Sequence, residues 1–573
     1  MNTNKGLLIG CIAFPLALIL VFFIGFGVSY KRLKPGKVSV TKDSWLTVDS
    51  SGEIRDYNEI ETGSFFGMDS PSTRDICDRI RAAATDPKIK GILLEPQFIG
   101  ASYSSLAEIT LALQDFRKSK KPVIAYGDML GQKDYFLCLS ADKIFMEPSA
   151  SGGLILEGVS ANVMFYKEMF DKLGIRIHVM QSGAYKGAGE PYSQTSLSEG
   201  TAQNLNAVLK ARYDYLLNAL AQTRKLSPDE ASAIFETRPD YFISGPAALN
   251  YKLIDGVMNR DSLLTKYEIK TENRLSISDY KGSPKLISSA NQIAVINLNG
   301  NISPQTGTGI DNMISARKVQ KIIDAIAKNK KIKAVVLRVN SPGGSALESE
   351  LIYQKLLTLK RKLPIVVSMT GVAASGGYYI SCASDYIMAD ELTITGSIGV
   401  IMMVPETEGL GRKLGLRSQT LKYGKFAGSV APFAAYDPEF LASLKQNSTN
   451  VYTEFKSRVM TARGISADSI ASVAEGRVFS AKDALANGLI DAIGNLDAAL
   501  AKAAALAKVK DYQAVNYPDK ISFMELIMAQ KSLYRLATGW FKLNLSDPAV
   551  LEEQLIKTLP TNQWLYLMPA KLD

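Results

Sequence analysis

Two loops of this 573-residue chain carry residue types suited to acyl-transfer chemistry. The first, Ala373-Ala374-Ser375-Gly376-Gly377, follows the apolar run PIVVSM and opens a helical segment. A serine at a strand-to-helix turn presents its hydroxyl at a helix N-terminus, where free N–H groups favour negative charge. That placement suits a nucleophile whose attack creates an oxyanion. The second loop is Asn340-Ser341-Pro342-Gly343-Gly344-Ser345, between a strand and a helix. Adjacent glycines there let backbone N–H groups approach an external atom and point at it. Each loop also has an ordinary structural reading. SPGG is common turn chemistry, and a small residue at a helix N-terminus allows close packing.

A serine hydroxyl needs a base. The chain has one histidine, His178, so a His-rich metal site is excluded and a Ser–His–Asp triad could use only that residue. His178 sits in IRIHVM, which alternates like a strand, and is expected to be a hydrogen-bonded sheet residue. A lysine can replace histidine if burial, without a paired carboxylate, pulls its pKa down from about 10.4 in water. Lys186 in GAYKGAGEPY has Gly183, Gly187 and Gly189 around it, which permit a tight loop. Glu190 must then point elsewhere, and Lys186 taken alone reads equally well as a solvent-facing loop lysine.

An internal repeat changes the weighing. KIKGILLE from Lys88 matches KIKAVVLR from Lys331, an offset of 243, and YFLCLSADKIF from Tyr135 matches YYISCASDYIM from Tyr378 at the same offset. KLGI from Lys172 matches KLGL from Lys413 at 241, and LIDG from Leu253 matches LIDA from Leu489 at 236. Collinear matches with a slowly drifting offset indicate duplication. In this register Ser375 faces Gln132, Gly343-Gly344 face Gly100-Ala101, and Lys186 faces Ala427. Each copy is chemically incomplete, in complementary ways.

The elements that must position these groups alternate between strand and helix in each copy. QIAVINL, KAVVLRVNS and PIVVSM read as strands, and RKVQKIIDAIAKN and SALESELIYQKLLTLKRK as helices. Repeated β–α–β units imply a largely parallel sheet buried between helices. The expected organisation is a short tail (1–5), a transmembrane anchor (6–30), a linker (31–54), an N-terminal repeat (55–270), a second linker (271–290), a C-terminal repeat (291–515) and a C-terminal tail (516–573), whose amphipathic stretch is expected to pack on the body or a partner. Gly6 to Tyr30 carries no charge, is long enough for the hydrocarbon core, and lacks a small-residue cleavage pattern. Lys31, Arg32, Lys34 and Lys37 follow it, which by the positive-inside rule favours a cytoplasmic body. A composition of 46% hydrophobic and 21% charged residues is that of a globular protein, and no basic run is long enough for a nucleic-acid arm. Four scattered cysteines give neither a disulfide framework nor a zinc pair.

The segments RVNSPGGS, ASGGYYIS, TGSIGV from Thr395 and YKGAGEPY resemble the signal peptide peptidase A (protease IV) family in its long, duplicated bacterial form. The resemblance runs from the anchor to about residue 515. It implies an α/β fold of tandem duplicated Clp protease/crotonase-like domains after an N-terminal transmembrane helix. It also implies a serine protease with Ser375 as nucleophile and Lys186 as general base and acid, the N–H groups of Gly343 and Gly376 as oxyanion hole, and neither metal nor cofactor. Implied partners are peptide substrates, cleaved signal peptides above all, the bilayer, and further copies in a ring-like homotetramer, with no nucleic acid. The implied location is the cell inner membrane, single-pass, with a periplasmic catalytic body, against the charge argument. Two other readings stay open: a crotonase-like acyl-thioester enzyme, which needs neither anchor nor Ser–Lys pair, and a non-enzymatic membrane scaffold.

Overall fold

A computed structural model of the chain describes residues 40–49, 51–61, 71–282, 289–304, 313–522 and 565–566. The anchor expected at 6–30 and most of the tail lie outside the described residues. Among the described residues no helix is long and apolar enough to cross a membrane.

The first repeat contains β1 (Ser44–Val48), β2 (Ile89–Leu94), α1 (Tyr103–Arg117), β3 (Val123–Gly127), α2 (Gln132–Cys138), β4 (Lys143–Met146), β5 (Arg176–Ser182), α3 (Glu199–Arg224), β6 (Phe242–Ser244), β7 (Gly256–Val257) and β8 (Arg274–Ser276). Its sheet has the order β7-β4-β3-β2-β1-β8, parallel throughout. The second repeat contains β9 (Gln292–Asn299), α4 (Ala316–Lys328), β10 (Ile332–Ser341), α5 (Ala346–Lys360), β11 (Ile365–Ala374), α6 (Gly376–Ser381), β12 (Tyr386–Ala389), β13 (Val400–Glu406), α7 (Pro438–Arg463), β14 (Val478–Ser480), β15 (Ala492–Ile493) and β16 (Gln513–Tyr517). Its main path, β15-β12-β11-β10-β9-β16, repeats the first sheet strand for strand and is also parallel. β2 and β10 are buried along nearly their whole length because helices cover both faces, which is why they read as unbroken apolar runs. α4 follows the helical period, burying Val319, Ile322 and Ile326.

The expected linkers are shorter than the sequence suggests. Ser44–Val48 and Arg274–Ser276, assigned above to linkers, are β1 and β8 of the first sheet, and β16 carries the second sheet past residue 515. These strands add to one side of each sheet from the chain ends, where the repeat is weak and the runs are short.

Among the contacts that join the repeats, two bear on the site. β5 from the first pairs antiparallel with β13 from the second, from Arg176↔Glu406 to Ser182↔Val400. His178 lies on β5 and shares a 3.1 Å hydrogen bond with Glu406 across this pair, so it is a satisfied sheet histidine. Deeper in, the Arg338 guanidinium of β10 reaches Asp56 at 2.7 Å and Glu108 of α1 at 2.7 Å, all three buried. The cation thus ties the strand leading into SPGG to two carboxylates of the other repeat.

Candidate active site

Ser375 occupies the turn between β11 and α6 and is fully buried. Its N–H donates to the Gly396 carbonyl at 2.8 Å, and its φ is +57°. A side chain in that region costs on the order of 1–3 kcal/mol, a strain held by the surrounding structure and common at functional turns. Oγ makes no cap bond to the helix and meets a side chain of the first repeat instead.

Lys186 arrives from the first repeat on the loop after β5. Three contacts with the second repeat fix that loop. Tyr185 N–H donates to the Glu475 carbonyl at 2.7 Å, the Arg477 guanidinium stacks 4.0 Å over the Tyr185 ring, and Ala184 N–H donates to the Glu475 carboxylate at 3.0 Å. Gly476, at φ +81°, is required here, because a Cβ would lie 2.5 Å from Lys186 N.

The Lys186 ammonium carbon chain is buried completely, and Nζ lies 2.7 Å from Ser375 Oγ, 2.8 Å from the Ser397 carbonyl oxygen and 2.9 Å from Ser397 Oγ. Burial alone holds its pKa well below that of a free lysine. Glu190 points away, accepting from Ser198 N–H at 2.9 Å and Thr201 Oγ1 at 2.8 Å at the start of α3. A neutral amine has two N–H donors and one lone pair. The two Ser397 oxygens match the donors, leaving the lone pair for the Ser375 hydroxyl proton.

Ser397 escaped the sequence reading. It lies in TGSIGV, where its backbone takes a φ of +54°.

Gly343 and Gly376 lie side by side: a Cβ on Gly376 would come 3.2 Å from the Gly343 Cα. Gly343 N–H currently donates to Ser341 Oγ at 3.2 Å. Gly344 must be glycine, since its φ is +147° and a Cβ would meet the Ile302 carbonyl oxygen at 2.0 Å. Alongside runs β17 (Leu565–Tyr566), antiparallel to Gly344-Ser345 on one side and bridged to Ile401 of β13 on the other. An extended backbone therefore fits between SPGG and β13, next to the Ser375 turn.

Known proteins resemble this chain over most of its length. Residues 115–274 and 358–510 match Peptidase family S49, and residues 298–391 match Clp protease. Protease 4 of Salmonella typhi is 35% identical, over 79% of this chain and 75% of its own. The chloroplastic Serine protease SPPA of Arabidopsis thaliana is 30% identical over 91% and 76%. Protease 4 of Haemophilus influenzae is 29% identical over 98% and 97%. With two matching segments on a Clp protease-like α/β fold and relatives of this likeness over most of their length, the chain belongs to peptidase family S49, the signal peptide peptidase A (protease IV) family of serine proteases.

Proposed function

We propose that the chain hydrolyses extended, largely apolar peptides with a Ser375–Lys186 dyad assembled across its two repeats. The observation that carries this is the 2.7 Å contact between a buried, carboxylate-free Nζ and Oγ on a strained turn. Lys186 Nζ takes the Ser375 proton as Oγ attacks the scissile carbonyl carbon. The N–H groups of Gly343 and Gly376 receive the developing oxyanion, Gly343 exchanging its Ser341 partner for the stronger charged acceptor. The protonated Lys186 then gives its proton to the leaving amine, which departs and leaves an ester on Ser375. Water enters, loses a proton to Lys186 and attacks the ester, and Ser375 Oγ recovers that proton as the acid product leaves. The slot holding β17 supports the choice of an extended peptide as substrate, read by main-chain pairing.

Cleaved signal peptides are the substrate class this reading favours, since they are apolar and are released at a membrane. The uncharged run 6–30 would anchor the chain in the inner membrane with its body on the extracytoplasmic side, and several copies would assemble as a homotetramer. The test is cleavage of a fluorogenic peptide panel by the detergent-solubilised chain and by Ser375→Ala and Lys186→Ala. Both variants are expected to fold and to lose about 10³-fold or more in kcat/KM. Full activity in Lys186→Ala would overturn the dyad.

A further inference from the structure

Ligands of open α/β sheets bind outside the carboxyl ends of the strands, and the two repeats treat that place differently. In the second repeat it is closed. Asn297 Nδ2 of β9 donates to Asn516 Oδ1 of β16 at 3.3 Å and to the Tyr517 carbonyl at 3.2 Å, and the Asp56 carboxylate meets Arg338 of β10. The strand registers give each of these residues a twin in the first repeat: Asn297 answers to Asp49, Asn516 to Ser276, Arg338 to Glu95 and Ala514 to Arg274.

In the first repeat the same place is open. A cavity of about 470 Å³ lies past the ends of β1, β2 and β8, lined by all four twins together with Arg260 and Asp279. Part of its charge is already engaged. Arg260 holds Glu95 through two bonds, at 2.5 and 2.9 Å, and Asp49 accepts from Ser276 Oγ at 3.1 Å. Two other groups are not engaged. Among the described residues Arg274 makes no ion pair or hydrogen bond, and its Nε is buried without an acceptor. The exposed Asp279 carboxylate likewise has no side-chain partner among the described residues. A guanidinium in a partly buried position is costly unless an acceptor meets it.

We propose that this cavity binds a small zwitterion, a free α-amino acid or dipeptide, with its carboxylate on Arg274 and its ammonium on Asp279 and Asp49. The planar guanidinium offers paired N–H donors that match a carboxylate. The three N–H donors of an ammonium suit two carboxylates that otherwise share a single hydroxyl donor. A simple anion such as phosphate would gain Arg274 but sit against Asp49 and Asp279, and a simple cation would meet Arg274. A ligand of both signs avoids both repulsions. The volume lies within the range of about 300–1,000 Å³ usual for small-molecule sites. Peptide hydrolysis releases such zwitterions, so the ligand would be a product of the proposed reaction. The site itself stands apart from that reaction, since neither Ser375 nor Lys186 lines it.

Isothermal titration calorimetry on the full Ser375→Ala chain in detergent tests this, because binding is then read as heat whether or not the chain is a peptidase. The probes are leucine, alanylleucine, the N-acetyl and amide derivatives of each, and inorganic phosphate. Leucine or alanylleucine is expected to bind at one site per chain, the tighter of the two telling an amino-acid site from a dipeptide site. Capping either end of that ligand is expected to weaken it by about 10-fold or more, and adding Arg274→Met to do the same. Adding Asp279→Asn, at an exposed position, is expected to bring the free amine close to its acetylated form. No heat with either zwitterion, equal binding of the capped forms, or binding indifferent to either substitution would overturn the proposal. Phosphate binding as tightly as the zwitterions would mark a plain anion site and overturn it too.

Discussion

The two strand-to-helix turns at Ser375 and Gln132 are one structure used twice, and they differ in what fills the space ahead of the helix. Around Ser375 a lysine from the other repeat supplies the contacts to Ser397. Around Gln132 the side-chain amide reaches across the turn itself, to a different position: Nε2 donates to the Gly158 carbonyl at 2.8 Å and Oε1 accepts from Gly158 N–H at 2.8 Å. Asp134, at the position of Gly377, is buried and accepts N–H bonds from Phe98 at 3.0 Å, Ile99 at 2.9 Å and Gly131 at 2.9 Å. Phe98–Ala101 is the counterpart of Ser341–Gly344. A permanent carboxylate thus ties this loop to the turn, through N–H groups that neighbour the counterparts of the Gly343 and Gly376 N–H groups without including them. Unpaired buried donors are costly, so the first repeat keeps a fixed negative charge beside its turn where the second repeat has Gly377.

The largest expected effects come from exchanging groups between the turns. With Ser375→Ala as background, adding Gln132→Ser and Ala427→Lys restores the missing side chains to the other half. No activity is expected to return, because the Asp134 carboxylate places a permanent negative charge beside the turn where an oxyanion would have to form. Peptide turnover appearing in that triple variant would break the comparison.

Next in size is the strand position just before each loop. Arg338 on β10 corresponds to Glu95, which pairs with Arg260 at the edge of the first repeat, at 2.9 Å. Arg338→Met strands Asp56 and Glu108 as buried charges and is expected to lower stability by about 3–5 kcal/mol. Arg260→Met, at a pair whose arginine is about a third exposed, is expected to lower it by less, about 1 kcal/mol. Urea unfolding of both variants measures the difference, and equal losses would show that Arg338 has no special part in joining the repeats.

The sheets and the pairing of Ser375 with Lys186 were legible in the sequence for the same reason. Strands buried on both faces leave unbroken apolar runs, and duplication lets one copy's loss be seen against the other's retention. Ser397, Asp56 and Glu108 were not legible, because their contacts cross between loops or repeats with no periodicity to mark them. Asp134 could have been found: an acidic residue opposite Gly377 is a gain, and the comparison looked for losses.

A smaller effect attaches to Asp134 itself. Asp134→Asn keeps the shape but offers one acceptor oxygen where two now serve three N–H groups. The expected loss is about 1–3 kcal/mol, read as a lower urea midpoint. Gly377 sits at the same place in the second repeat, but a Cβ there would lie 2.6 Å from the Ser341 carbonyl oxygen, so the two turns cannot trade these residues. An unchanged midpoint for Asp134→Asn would mean that the loop, not the carboxylate, holds the turn together.

The finest distinction lies at the strand end that follows each helix. Glu147 is half-buried and accepts from the Tyr126 hydroxyl at 3.0 Å, whereas its counterpart Asp390 is buried beside the Arg338 cluster. Burial first, and the Glu108 charge second, push the Asp390 carboxyl up to about 7 from the 3.8 of a free aspartate. Between those two values the folded chain keeps a proton that the unfolded chain has released, so the group's stabilising contribution declines as pH rises and is gone above about 7. Asp390→Asn is expected to flatten that part of the melting temperature against pH and to gain most over the wild type on the alkaline side. In the proposed mechanism Lys186 acts in the opposite sense on turnover: its lowered pKa would set an acid limb, below which the amine is protonated and could not accept the Ser375 proton. Asp390→Asn should leave that limb where it is, since Asp390 is not among the groups that shift Lys186. A joint displacement of the melting curve and the acid limb would mean that the inter-repeat cluster and the dyad titrate as one unit.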